Sequence, residues 1–431
     1  MKILHTSPAY FPAIGGAQVH IQELSEGLAS RGHDVTVLTA NVRGHSDMTL
    51  CRSAGLPEHE VINGVNVIRF RPDGGLTGNA LDKWLQCRGG HRSFHAVFNQ
   101  DIATMLTAGP RAFPIIPYIL RAHADIVASI SWSWPPAYYT YLARRLKNFT
   151  LVGIPLFHTA TPWSHREIYK SMLAQCDAVI ANTEHEAEFI RERAAVRVEA
   201  AGVGIHPELF ARRSGIDVRA RYSLGDRPVV GFVGKQIPTK GVTKLVEAMR
   251  RVWKWNHDVH LVIAGGPDYF PDRMEKLING LSERERAHIV RIDAFDERDK
   301  ASIHDAFDVF ALPSTEESFG IAYLEAWMCG KPVIGARIGS TQCVIDNGVD
   351  GLLADPHDAE EIAQGIIDLL SDKDKRERMA RNGRAKTLSH YTWDKVTDKV
   401  EALYLELIAA KGIGQHSDIQ QLKNIAKGDE E

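Results

Sequence analysis

Short runs rich in valine, isoleucine and leucine alternate with helix-length amphipathic segments from one end of the chain to the other. This alternation constrains the fold more than any other feature, because it is the pattern of parallel sheets covered by helices on both faces. In the first half, the expected strands are 2–6, 34–40, 65–70, 125–131, 150–158, 177–182 and 198–203. Segment 17–31 between the first two carries Val19, Leu24 and Leu28 on one helical face and ends at Gly32. A second series follows at 229–233, 260–264, 289–292, 309–313 and 333–336. The fold class is therefore α/β, with two Rossmann-like, doubly wound parallel-sheet domains in series. A length of 431 residues fits two or three domains, and 44% hydrophobic with 24% charged residues excludes a disordered or fibrous chain.

The expected division is an amino-terminal domain 1–205, a connection 206–227, a second domain 228–390, a helix 391–410 packing back on the first domain, and a flexible tail 411–431. The connection is polar and has no sustained apolar stripe, and the last helix carries Val396, Val400, Leu403, Leu407 and Ile408 on one side. Open α/β sheets bind ligands beyond the carboxyl ends of their strands, so two facing sheets imply a cleft with a ligand inside it.

Charge and cysteine content narrow the function. With 51 Lys and Arg against 54 Asp and Glu, no global basic field exists to grip nucleic acid. Five scattered cysteines without a C-x-x-C pair support neither a disulfide framework nor a zinc site, which fits a cytoplasmic chain. No apolar run is long enough to span a bilayer. Stretch 83–147 holds eight basic residues against two acidic ones, with Trp84, Phe94, Phe98, Trp132 and Trp134 interleaved. It reads either as a basic, aromatic surface for peripheral membrane contact at anionic lipid or as scattered surface charge.

Four places carry candidate chemistry. Gly15 and Gly16 close the loop after the first strand, where paired glycines allow a ligand close to the backbone at a helix start; a turn needing positive φ is the competing reading. Lys235 and Lys240 follow strand 229–233 and are placed to converge on two phosphates, unless they simply line a solvated loop. Glu317 and Glu325 are separated by seven residues. With a helix starting near Ser318, the rise places them about 12 Å apart, too far for one acid and base pair across a glycosidic bond. They read as two anchors for hydroxyl groups, with the amides of Phe319, Gly320 and Ile321 in the first helical turn facing a phosphate. The alternative has Glu317 as a cap and Glu325 in solvent. His158, at the end of an apolar strand, is the histidine best placed for a cleft. Asp305 with Asp308 and Asp355 with Asp358 read as surface and capping residues, not metal ligands.

Together these motifs resemble the retaining glycosyltransferases of family 4, with the GT-B fold. The resemblance rests on ELSEGLASRGHDVTVLT, GFVGKQIPTKG, LVIAGG, FALPSTEESFGIAYLEAWMCGKPVIG, NGVDGLL and YTW, and covers nearly the whole chain. It implies a nucleotide-sugar donor and a hydroxyl acceptor, a saccharide, a lipid-linked glycan or a small molecule. Gly16 would present its amide to the donor diphosphate, and Lys235 and Lys240 would neutralise it. Glu317 would hold donor-sugar hydroxyls, Ser318, Phe319, Gly320 and Ile321 the phosphate, Glu325 the ribose diol, and His158 the donor sugar. Family members usually carry arginine where Lys235 stands, and a lysine offers a point charge instead of a planar fork. A front-face mechanism without metal or cofactor is implied. A nucleotide-sugar epimerase on the same fold and a silent donor-binding subunit are the alternatives.

Overall fold

The computed structural model describes residues 1–13, 15–72, 109–212, 214–266 and 272–428, with backbone only at 272–273 and 412–428. Its contacts divide the chain into two units. The first comprises Met1–Asn182, Glu186–Ala201 and Val396–Glu431; the second comprises Thr183–His185 and Gly202–Lys395.

The first unit is built on an eight-stranded sheet: β1 (Lys2–Thr6), β2 (Asp34–Ala40), β3 (His59–Ile62), β4 (Val65–Phe70), β5 (Ile126–Ile130), β6 (Leu151–Ile154), β7 (Ala178–Ala181) and β8 (Arg197–Ala200). Their spatial order is β3-β4-β2-β1-β5-β6-β7-β8. Every pairing is parallel except β3 with β4, where His59 faces Ile68 across an antiparallel edge. The order reverses direction between β1 and β5, which places the ligand-binding switch point at their carboxyl ends. Strand β3 was not anticipated, because its exposed His59 and Val61 give it no buried face to read.

The helix Gly16–Ser30 covers this sheet with Ile21, Leu24 and Leu28, while Val19, expected on the buried face, is 36% exposed. The last helix, Trp393–Gly428, buries Val396, Val400, Leu403 and Tyr404. Its Glu401 accepts from Arg31 Nη1 at 2.8 Å and lies 2.7 Å from His33 Nε2, fixing it to the end of the first helix. The helix continues to Gly428, beyond the expected stop at Ala410, because no proline interrupts its hydrogen-bond ladder.

The second unit has six parallel strands: β9 (Val229–Val233), β10 (His260–Ala264), β11 (Ile289–Ile292), β12 (Val309–Leu312), β13 (Val333–Ala336) and β14 (Gly351–Ala354). Their order is β11-β10-β9-β12-β13-β14, so its switch point lies between β9 and β12. Segment 206–227 is part of this unit, not a free connection. Phe210, Val218 and Leu224 are buried, and Arg219 Nη2 pairs with Asp308 Oδ2 at 2.9 Å. Three widely spaced apolar residues in a polar stretch gave no periodicity, yet each is buried.

Candidate functional site

In the second unit, the loops at the switch point are tied together by backbone. Thr315 N–H donates to Thr239 O at 2.8 Å, joining the loop after β12 to the loop after β9. Gly241 sits at φ 73, and a Cβ there would lie 1.9 Å from Pro313 O, so this approach requires glycine. The result brings Lys240 Nζ to 2.6 Å from Glu317 Oε1, which also accepts from Ser314 Oγ at 3.0 Å. Ser340 Oγ donates to Glu317 O at 2.6 Å and fixes the backbone of the same residue. The Glu317 side chain is only 8% exposed against 26% for Lys240.

The helix carrying the second glutamate begins at Ile321, not near Ser318, with Gly320 as a left-handed cap at φ 95. The position has no room for a side chain, since a Cβ on Gly320 would lie 2.4 Å from Tyr323 Cε2. Glu317 therefore stands in a loop and the helical-rise separation does not apply to it. Among the amides assigned to the first turn, only that of Ile321 lies inside the helix; Phe319 and Gly320 precede it. The amides of Ser318, Phe319 and Gly320 donate to no acceptor among the described residues. Unpaired N–H groups leading into a helix start favour a nearby anion.

Glu325 does not point to solvent. Its carboxylate accepts from Lys300 Nζ at 2.9 Å and lies 3.8 Å from His304 Nε2, both from the helix Lys300–Asp305. Burial pushes the Glu325 carboxyl up, but the Lys300 ammonium and His304 outweigh it and hold the group at about 2. Glu325 is therefore ionised at any working pH and acts as a hydrogen-bond acceptor.

Lys235 stands apart from this cluster. It is exposed and makes no ion pair among the described residues. Its neighbour Gln236, which reads in sequence as an ordinary loop residue, is 3% exposed. Gln236 Nε2 donates to Gly265 O at 2.7 Å and Asp293 Oδ1 at 2.8 Å, and its N–H to Gly266 O at 3.0 Å. It laces the loops after β9, β10 and β11, so it sets where Lys235 emerges. Neither Gln236 nor Lys300 carried a sequence signal, because each acts through a partner distant in the chain.

In the first unit, Gly15 is extended at φ 168 and caps the helix that Gly16 begins, so no positive φ is involved. A Cβ on Gly16 would meet nothing within 4 Å. The fold leaves this position open, as a ligand-facing backbone needs. Arg69 on β4 supports the loop by donating from Nη2 to Phe11 O at 2.7 Å.

His158 lies four residues beyond β6, because Pro155 ends the strand and Leu156 turns the chain at φ 58. It is half-buried, with its ring 6.3 Å from that of Trp163. Of the basic stretch, residues 83–108 lie outside the described residues. In the remainder, Trp132 is 2% exposed and Arg111 7%, so both belong to the interior and not to a membrane-facing surface. Arg144 pairs with Asp177, while Arg121 and Arg145 are exposed. No helix among the described residues is long and apolar enough to cross a membrane. Asp358 caps the helix Ala359–Ser371 through Glu360 N–H, as its position suggested.

Two Rossmann-like sheets, each with loops gathered at its switch point, give the chain the GT-B fold. The chain belongs to the glycosyltransferases of family 4: residues 14–209 match the Glycosyltransferase Family 4 model and residues 217–386 the Glycosyl transferases group 1 model. It is 27% identical over 430 residues to the D-inositol 3-phosphate glycosyltransferase of Stackebrandtia nassauensis, covering 96% of this chain and 92% of that one. Sucrose-phosphate synthase from Thermosynechococcus elongatus shares the fold with a TM-score of 0.71 and 22% identity, over 95% of this chain and 99% of that one. Anabaena HepE, solved in complex with UDP-glucose, gives a TM-score of 0.68 and 19% identity, over 94% and 99%. Both family models describe glycosyl transfer, and neither they nor these relatives support the epimerase alternative.

Proposed function

We propose that this glycosyltransferase moves a hexosyl group from a uridine diphosphate sugar to a hydroxyl acceptor with retention of anomeric configuration. The observation that carries this reading is the row of amides without an acceptor at Ser318, Phe319 and Gly320, next to Glu317 of the Lys240–Glu317 pair. The amides and Lys240 suit a diphosphate, with Lys235 adding a second cation and the Gly16 amide a further donor. Glu317 Oε2 is available for a sugar hydroxyl, and the ionised Glu325 suits a ribose diol. Uridine is taken from the ligand of HepE, and the Stackebrandtia relative's name makes a phosphorylated inositol the first acceptor to try.

In the front-face step, the acceptor oxygen bonds to the anomeric carbon on the face from which the diphosphate leaves. The bond from that carbon to the phosphate oxygen breaks, its electron pair stays on the phosphate, and the acceptor's proton passes to a phosphate oxygen. The protein contributes positioning and a preorganised positive field where charge develops. His158 is assigned to the donor sugar.

A thermal-shift screen of uridine, guanosine and adenosine diphosphate sugars is the first test, with stabilisation by the uridine form expected. Transfer is then followed by proton NMR of the product's anomeric signal. Failure of every nucleotide sugar to stabilise the protein overturns the donor assignment; an inverted product overturns retention; tight donor binding without turnover on a broad acceptor panel points to a silent binding subunit.

A further inference from the structure

Glu186 is a buried carboxylate with no part in the chemistry described so far. It lies in the first turn of the helix Glu184–Arg191 and is 2% exposed. Its Oε1 accepts the Phe157 N–H at 2.7 Å and its Oε2 the Asn182 N–H at 2.8 Å. One carboxylate thus ties the loop after β6 to the chain leaving β7.

The residue after Phe157 is His158, and its carbonyl is held as firmly from the other side. It accepts from Thr161 N–H at 2.9 Å, Thr161 Oγ1 at 2.7 Å and Ser164 Oγ at 2.8 Å. The Phe157 ring is packed against Trp132, Tyr169 and Phe189, with centroids 6.0, 5.2 and 5.6 Å away. The backbone on both sides of the His158 Cα is therefore fixed, and Glu186 supplies the restraint on the amino side.

Keeping an ion there is expensive. Burial pushes the Glu186 carboxyl up to about 7, against the pull of its two N–H donors. An apolar residue would fill the same volume at less cost, but could not hold two separate amides. We propose that Glu186 is a positioning residue for His158, setting the loop that carries the imidazole through the Phe157 and Asn182 amides. The proposal rests on the assignment of His158 to the donor sugar.

The test is a double-mutant cycle of Glu186→Gln and His158→Ala, read as kcat and donor KM with a thermal melt for each protein. The glutamine carbonyl serves one amide while its NH2 opposes the other. Glu186→Gln is expected to lower kcat about 10- to 100-fold, since small misplacements are costly in oriented reactions, with donor KM changed less than about threefold. In the His158→Ala background the same change is expected to lower kcat no further. An equal further loss in that background overturns the proposal, as does full activity of Glu186→Gln. If His158→Ala alone is fully active, the His158 assignment fails, and the proposal with it. Should Glu186→Gln not fold, Glu186→Asp keeps the charge with a shorter reach; it is expected to fold and to show the same kcat loss, and wild-type kcat in it overturns the proposal.

Discussion

Lys240 Nζ lies 2.6 Å from Glu317 Oε1, joining residues 77 positions apart at the switch point of the second sheet. The pair is asymmetric, with the carboxylate buried and the ammonium partly in water. Removing the lysine strands a buried charge, whereas removing the carboxylate leaves a lysine that reaches solvent. Lys240→Met is therefore expected to destabilise by about 2–4 kcal/mol in urea unfolding and Glu317→Gln by about 1 kcal/mol or less. Both are expected to lower kcat/KM on the order of a hundredfold in the transfer assay. Equal stability losses would show that Glu317 is not held as a buried ion.

Two glycines separate fold from function. Gly241→Ala forces a Cβ onto Pro313 O at a φ of 73, so loss of both stability and activity is expected. Gly16→Ala places its methyl in open space and should leave the melting temperature unchanged. Its activity is expected to fall about tenfold or more, because the methyl occupies ground assigned to the diphosphate. A fully active Gly16→Ala enzyme would remove that assignment.

The carboxyl of Glu325 is held at about 2, below its ordinary 4.5. A carboxyl depressed in the folded state contributes stability that is complete above the ordinary value and is lost as pH falls through the folded one. Donor KM in the wild type is thus expected to show no Glu325 titration between pH 5 and 8. Lys300→Met removes the main opposing cation and leaves burial dominant, so the carboxyl rises and donor KM should climb as pH is lowered toward 5. A flat profile in Lys300→Met would show that the ion pair does not set the charge on Glu325.

His5 and His20 are buried in the first unit, and burial lowers them from 6.5 to about 3 and about 4, with His20 adding to the shift of His5. Both are neutral in the folded chain, and below pH 6.5 they protonate when it unfolds. Their contribution is present above pH 6.5 and is lost as pH falls toward 4 or 3, by about 1.4 kcal/mol per pH unit for each histidine. Urea unfolding at pH 7 and pH 5 measures this, and a double Asn substitution at the two positions should flatten the slope.

With charge stabilisation assigned to lysines and backbone amides, treatment with a strong chelator is expected to leave transfer unchanged. Loss of activity restored by a divalent cation would overturn that assignment.

Strand after strand was legible in the sequence because a buried parallel strand needs a continuous apolar run. Residues 229–233, 260–264 and 333–336 coincide with the fully buried β9, β10 and β13 for that reason. The candidate site residues stood out in the sequence as well, since glycines, lysines and glutamates at strand ends interrupt the apolar runs. Strand β3, half exposed, and segment 206–227, with its three isolated anchors, lacked any periodic signal.

The pairings were decided by tertiary structure alone. Sequence set Lys235 and Lys240 five residues apart on one loop; only the fold shows that Lys240 pairs with Glu317 while Lys235 is exposed. Sequence also started the helix near Ser318, next to Glu317, whereas the helix begins only at Ile321, after Gly320 at φ 95. Lys300 behind Glu325, Gln236 across three loops and Glu186 beneath His158 were silent, because each is defined by a hydrogen bond to a distant segment. The chain's pattern of apolar runs determined which segments form sheets and which residue types stand at their ends. Which of those residues meet depends on strand order and loop closure, and these follow from packing that no local window contains.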